Sequence, residues 1–205
     1  MPRAPELAER WVIETLGTSP SASKPDHDNV GTAMIYMVEM DFRNPAREAD
    51  WHVWYLDHVT KLIRNVPGFR ATQRFRAITA TPSPWLALHD VVSPAVFESK
   101  EYRANGGPAS TGEWQAEHTN WYRNLFAGID NTPEVPPDGH LLVLEADAKL
   151  PAPYASTVTW LESVGLDRSA GRRGIAIVPA GRLTAGLFGL AGVRIFKPIS
   201  PRIAG

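Results

Sequence analysis

An α+β fold built on a β-α-β-β-α-β unit is predicted for this 205-residue chain, and three observations carry the prediction. Strand-like and helix-like segments alternate in that order between residues 33 and 128, the order of a ferredoxin-like unit. Residues 161–178 (LESVGLDRSAGRRGIAIV) echo residues 62–78 (LIRNVPGFRATQRFRAI), which makes the distal part of the chain a worn copy of the first. The sequence has no cysteine, so disulfide scaffolds, zinc ribbons, iron–sulfur sites and thiol catalysis are excluded.

The elements follow in order. Residues 5–17 read as a short amphipathic helix, and 18–31, rich in Ser, Pro, Asp and Gly, as a linker; together they set off 1–32. Ala33–Phe42 is strand-like, with Ile, Val, Tyr and Met in a dense run. Asn44-Pro45 signals a helix start, because Asn caps and Pro suits the first helical position. That helix runs to about Asn65, where Pro67-Gly68 stops it. Phe69–Ala80 and Trp85–Val92 read as strands, short helical pieces follow near 94–104, and Ser110-Thr111-Gly112-Glu113 reads as a capping box opening a helix through His118. Trp121–Ile129 closes the first unit, 33–130. The Pro-rich break Asn131–Gly139 leads to a second, truncated unit, 139–205, in which Leu161 takes the place of a helix-end Leu and Gly192–Pro201 matches Trp85–Pro94.

Net charge is −1, which offers no electrostatic case for nucleic acid or an anionic membrane. No stretch reaches the ~20 apolar residues of a membrane span, and the N-terminus lacks a signal-peptide core. A cytoplasmic protein is expected. No Walker loop, nucleophile elbow or dinucleotide fingerprint occurs. His52 and His58 are six residues apart, about 120° around a helix, unlike the i, i+4 pair of a zinc helix; no metal site is expected.

Aromatic residues are concentrated. Five of the seven Trp lie between Trp51 and Trp121. At 100° per residue, Trp51, Tyr55, His58, Leu62 and Val66 form one stripe of the long helix, with His52, Leu56, Val59 and Ile63 beside it. Two histidines therefore fall in an apolar sector. Each is either a satisfied packing residue or, facing a semi-apolar cavity, a group that titrates near neutrality and moves protons. Strand parity sorts Met34, Tyr36, Val38, Met40, Phe69, Ala71, Phe75, Leu86 and Leu88 onto a helix-packing face. The opposite, half-polar face holds Ile35, Met37, Glu39, Thr72, Arg74, Arg76, Trp85, Ala87 and His89. Trp114, His118, and Trp121 or Tyr122 recur at helical spacing, either a core stripe or an aromatic wall.

His52-x-Trp54-Tyr55-x-x-His58, followed by Leu62 and Val66-Pro67-Gly68-Phe69, resembles the dimeric α/β-barrel superfamily and within it the EthD-like group. The resemblance covers about residues 33–128; Leu56-Asp57 departs from the acidic pair that many relatives carry before the histidine. It implies ferredoxin-like units packed sheet to sheet into a barrel, closed either within one chain or by homodimerisation, with a cavity between sheet and helices. It also implies His58 as general acid/base, with Trp54 and Tyr55 as its neighbours. Apart from the resemblance, Tyr55, His89, Arg74 or His118 are candidates to hold an oxyanion or carboxylate, the first three counted as further catalytic candidates. Trp54, His52, Trp85, Trp114, His118 and Glu39 are the candidate substrate-binding residues. The expected function is a cofactor-independent isomerase, lyase or oxygenase acting on a small aromatic, lactone or polyketide-like molecule. Two alternatives stand beside it: a haem protein with His58, His89 or His118 as axial ligand, and a non-catalytic small-molecule-binding or stress-responsive protein.

Overall fold

Eight antiparallel strands close into a barrel in the computed structural model, which describes residues 33–205. The helix expected at 5–17 and the linker at 18–31 lie outside the described residues. The elements are β1 (Met34–Phe42), α1 (Glu48–Asn65), β2 (Phe69–Ala77), β3 (Trp85–Val91), α2 (Lys100–Asn105) and β4 (His118–Ala127). The second half adds β5 (His140–Leu144), β6 (Thr159–Leu166), β7 (Arg172–Val178), β8 (Val193–Pro198) and the short β9 (Ile203–Ala204). Strand order is β3-β1-β4-β6-β7-β5-β8-β2, with β2 pairing back onto β3 and β9 extending the far edge of β2. The barrel thus closes within one chain, through the β4–β6 and β8–β2 seams. Among the described residues no helix is long and apolar enough to cross a membrane.

The two halves repeat one strand order. Ring neighbours run β2-β3-β1-β4 and then β6-β7-β5-β8, so each strand of the second half takes the place of one in the first. The sequence echo aligns β2 with β7, whereas the strand order makes β6 the counterpart of β2, so the echo runs one element out of step with the topology. Leu161 does not end a helix; it sits wholly buried in the middle of β6. Thr159-Trp160-Leu161 is β-prone sequence that finds partners on both sides, β4 and β7, and tertiary pairing decides its conformation. A fourth strand, β8, is also present. No α-helix occurs among the described residues of the second half. In place of helices, loop side chains such as Leu150, Tyr154, Leu183 and Leu190 cover the outer face of β5, β7 and β8.

Helix α1 enters through one 3-10 turn, Pro45–Arg47, and Asn44 makes no capping hydrogen bond. It buries Trp51, Tyr55, Val59, Leu62 and Ile63 against the sheet. Leu56, placed by periodicity next to this stripe, is 44% exposed. The turn after α1 needs Gly68. Its φ is +95°, and a Cβ there would lie 2.6 Å from Val96 and 2.8 Å from Val92. Gly68→Ala is expected to destabilise the protein by about 2–3 kcal/mol in urea unfolding, from the left-handed backbone and the clash together.

Register revises the two sheet faces. Tyr36 pairs with His89, Val38 with Ala87 and Met40 with Trp85. Directly opposite residues share a face, so Trp85, Ala87 and His89 belong on the helix side with Tyr36, Val38 and Met40. Leu86 and Leu88 face the barrel interior with Ile35 and Met37. A register shift in β2 between Phe69 and Ala71 has the same effect: Thr72 and Arg74 face the helix layer, and Phe75 faces inward. Parity holds within β1 and β3 but fails in β2, where the shift leaves Phe69 with the helices and turns Phe75 inward. Nor can parity align one strand with its neighbour when both faces are buried. The barrel interior is a packed apolar core of Phe75, Phe126, Leu141, Val143, Ile175 and Phe196 among others. The half-polar face predicted from sequence is split: Thr72, Arg74, Trp85, Ala87 and His89 lie beneath the helices, whereas Ile35, Met37 and Glu39 face the barrel interior.

Candidate functional site

Three histidines line one cavity between the sheet and the helix layer. His58 comes from α1, His89 from β3 and His118 from the first position of β4. Aromatic rings complete the wall: Tyr36 from β1, Trp54 and Tyr55 from α1, Tyr102 from α2 and Trp121 from β4. The cavity is narrow, about 30 Å³, room for one or two waters. Its roof includes Gly107 and Thr111, from the stretch leading into and along the 3-10 segment Pro108–Glu117.

Each ring is held by its neighbours. His58 stacks on Trp54 at 5.0 Å between centroids, with planes 13° apart. His89 stacks on Tyr36 at 5.1 Å, and the Tyr36 and Tyr102 hydroxyls lie 3.4 Å apart. Burial raises the pKa of both phenols, so they stay protonated at neutral pH.

The tautomer of His118 can be derived. Trp51 donates its indole N–H to His118 Nε2 at 2.9 Å. Because an indole nitrogen only donates, Nε2 carries the lone pair, and in the neutral ring the proton sits on Nδ1. His118 Nδ1 is buried without a hydrogen-bond partner, and so is Trp121 Nε1. Two cavity-lining residues therefore hold N–H donors that no protein acceptor satisfies. Buried donors of this kind are rare in structural cores. They suit an oxygen acceptor supplied by a ligand.

Desolvation sets the charge state. It pushes His58 and His118 down to about 4 and His89 to about 3, the last with help from the His58 and Arg74 charges. Asp57 opposes the shift at His58 without cancelling it. Titration near neutrality, the sequence expectation for His58, is thus replaced by an imidazole that is unprotonated throughout the physiological range. Among the described residues His58 has no hydrogen-bond partner, so a ring nitrogen is available to accept a proton.

The candidate residues divide into separate groups. His58, Tyr55, His89, Trp54 and His118 meet at the cavity. Arg74, His52 and Trp85 line a different cleft on the outer side of α1. Tyr55 separates them, with the Arg74 guanidinium 4.1 Å over its ring. Trp114 packs 6.0 Å from Trp54, beneath Arg47, and backs the cavity wall. Glu39 points into the barrel, away from both, and pairs with Arg173 and Arg194. His118 is not on a helix: Pro108–Glu117 is a 3-10 segment broken at Gly112, whose φ of 55° and ψ of −132° are non-helical. The strand that follows, rather than a helical stripe, brings His118 and Trp121 within 5.2 Å. Among the described residues no group of three or more His, Asp or Glu is arranged to hold a metal ion.

Sequence reasoning missed Tyr36 and Tyr102 as wall residues. Tyr36 alternates with Val38 and Met40 and reads as packing; only its register with His89 marks it.

No protein-family model matches the chain, and no curated protein matches it. Among solved structures, an anthrone oxidase-like protein superposes with a TM-score of 0.52, over 84% of this chain and 93% of that one, at 9% identity. At that identity the likeness is one of fold: a barrel-type α/β architecture shared over nearly the whole of both chains.

Proposed function

We propose that the histidine cavity binds a small aromatic or polyketide-like molecule through a carbonyl or phenolate oxygen, and that His58 moves a proton at the adjacent carbon without a bound cofactor. The observation that carries this reading is the pair of unsatisfied donors, His118 Nδ1–H and Trp121 Nε1–H, in a cavity that also holds an unprotonated, unpartnered His58. Abstraction of a proton next to a carbonyl places negative charge on the oxygen. Two pre-oriented donors stabilise that charge most in the transition state. The imidazolium formed on His58 is acidic in its buried setting and returns the proton readily. Trp54, Tyr36 and Trp121 line the cavity with aromatic rings that suit a planar substrate. A ring system needs more room than the resting cavity, and we assign that room to a shift of the 3-10 roof, which is broken at Gly112, where an added Cβ would meet no atom within 4 Å.

The fold shared with an anthrone oxidase-like protein supports an anthrone as probe. Under nitrogen, exchange of the anthrone methylene hydrogens with deuterated water, followed by NMR, isolates proton transfer from any later step. The protein is expected to accelerate exchange, and His58→Ala to lower that acceleration by about 10²–10⁴. Equal acceleration by the wild type and His58→Ala would remove His58 as the base.

A further inference from the structure

A second cleft, of about 540 Å³, runs along the outer side of α1 over the ends of β2, β3 and β8. None of the three cavity histidines lines it. It combines an unpaired cationic cluster with an exposed apolar wall.

The first is an unneutralised buried cation. Arg74 is 5% exposed. One of its terminal nitrogens donates to His52 Nδ1 at 3.0 Å, the other to the His52 carbonyl at 3.4 Å, and the guanidinium lies over the Tyr55 ring. It has no carboxylate partner among the described residues. Other shielded arginines do: Arg173 and Arg194 share Glu39 and Glu145, Arg123 pairs with Asp167, and Arg202 lies 3.6 Å from Asp90. Arg76 and Lys197 line the same cleft, again with no ion pair among the described residues. Glu48 stands on the rim, 3.8 Å from His52 Nε2. Because Arg74 can only donate to Nδ1, His52 keeps its proton on Nε2 and is neutral. Three cations therefore face one carboxylate.

The second feature is apolar. Val53 is 73%, Leu56 44% and Ile199 37% exposed, and all three line the same cleft. Trp85 forms part of the floor, under the Arg76 guanidinium at 5.0 Å.

We infer that this cleft binds an amphipathic monocarboxylate, its head against Arg74, Arg76 and Lys197 and its tail along Val53, Leu56 and Ile199. A guanidinium fork matches a carboxylate geometrically and electrostatically. A fully inorganic anion leaves the apolar wall uncovered. Glu48 on the rim repels a second negative charge, which selects a monoanion over a phosphate dianion. The site is independent of the His58 reading, since its residues and its ligand chemistry are its own.

Titration calorimetry of the full chain with 4-phenylbutyrate, octanoate, 4-phenylbutyramide and inorganic phosphate tests the inference. One or both acids are expected to bind, the amide and phosphate at least about tenfold more weakly, and affinity for the acid to fall with added salt. Arg76→Gln and Lys197→Gln, both at exposed positions, are expected to weaken acid binding by about three- to tenfold each while the protein stays folded. Val53→Glu is expected to weaken it similarly by charge repulsion. His58→Ala leaves it unchanged. The inference is overturned if neither acid binds below about 1 mM, if the amide binds as tightly as its acid, or if the Arg76 and Lys197 variants bind like the wild type. It is also overturned if the exposed patch instead seats a second copy, seen as a dimer that Val53→Glu dissociates with no carboxylate binding in either protein.

Discussion

Trp51→Ala is expected to destabilise the protein by about 3–5 kcal/mol, the largest single-residue effect in the helix layer. Trp51 is completely buried. It stacks on Phe42 at 4.7 Å and meets the edges of Tyr55, Trp85 and His118. Removing it opens a void among rings that cannot collapse into it, because each is fixed to a different strand or helix. The same substitution withdraws the N–H that fixes the His118 tautomer. Trp51→Phe separates the two effects: it keeps most of the packing and loses only the hydrogen bond. Urea unfolding should show a loss of about 1–2 kcal/mol for Trp51→Phe, well short of the alanine variant. With that hydrogen bond to the neutral ring gone, the His118 pKa should rise, which NMR titration would show. Equal destabilisation by Phe and Ala would mean that the hydrogen bond, not the packing, dominates at this position.

Acidification is expected to weaken the fold earlier than carboxylate titration alone would. His58, His89 and His118 are held neutral in the native state, with pKa values pushed to about 4, 3 and 4. In the unfolded chain each returns to about 6.5. Their neutral burial is fully tolerated above pH 6.5. As pH falls below that value, the unfolded chain takes up protons that the folded one refuses, and stability is lost progressively down to about pH 4. A wholly buried histidine loses about 1.4 kcal/mol per pH unit in this window. His58 and His118 are only partly buried, so solvent reduces their share. A combined fall of roughly 3–4 kcal/mol between pH 6.5 and 5 is expected. Urea midpoints measured at pH 7.5, 6.5, 5.5 and 5 check this. His89→Phe, at a fully enclosed position, should flatten the slope by up to about 1.4 kcal/mol per pH unit. Stability that stays constant from pH 7.5 to 5 would show that the three rings are already protonated or solvated.

What could be read without coordinates was what depends on near neighbours in the chain. Helix α1 declares itself through the spacing of Trp51, Tyr55 and Leu62 and its stop at Pro67-Gly68. That spacing is a property of eighteen consecutive residues, as is the position of His58 beside Trp54 and Tyr55. The fold class followed from the order of such segments. The second half was harder. Thr159–Leu166 has no strong local period, and it becomes a strand because β4 and β7 present open edges on either side. His118 was expected on a helix, yet the 3-10 segment ends at Glu117 and the extended chain begins.

The face assignments show the limit most clearly. All seven residues of β3 are buried, so alternation of apolar and polar side chains, the usual guide to a strand's orientation, carries no information there. Only pairing with β1 places His89 next to Tyr36 and beneath His58. The same pairing moves Arg74 to the helix side, where it meets His52 and Tyr55 in a cleft separate from the cavity. By itself the sequence determined an α+β chain, one amphipathic histidine-bearing helix and an aromatic-rich first half, because those are short-range patterns. Barrel closure within one chain, the convergence of three histidines and the separation of a cationic cleft were decided by tertiary structure. Each depends on strand register, and register is set by partners tens of residues away.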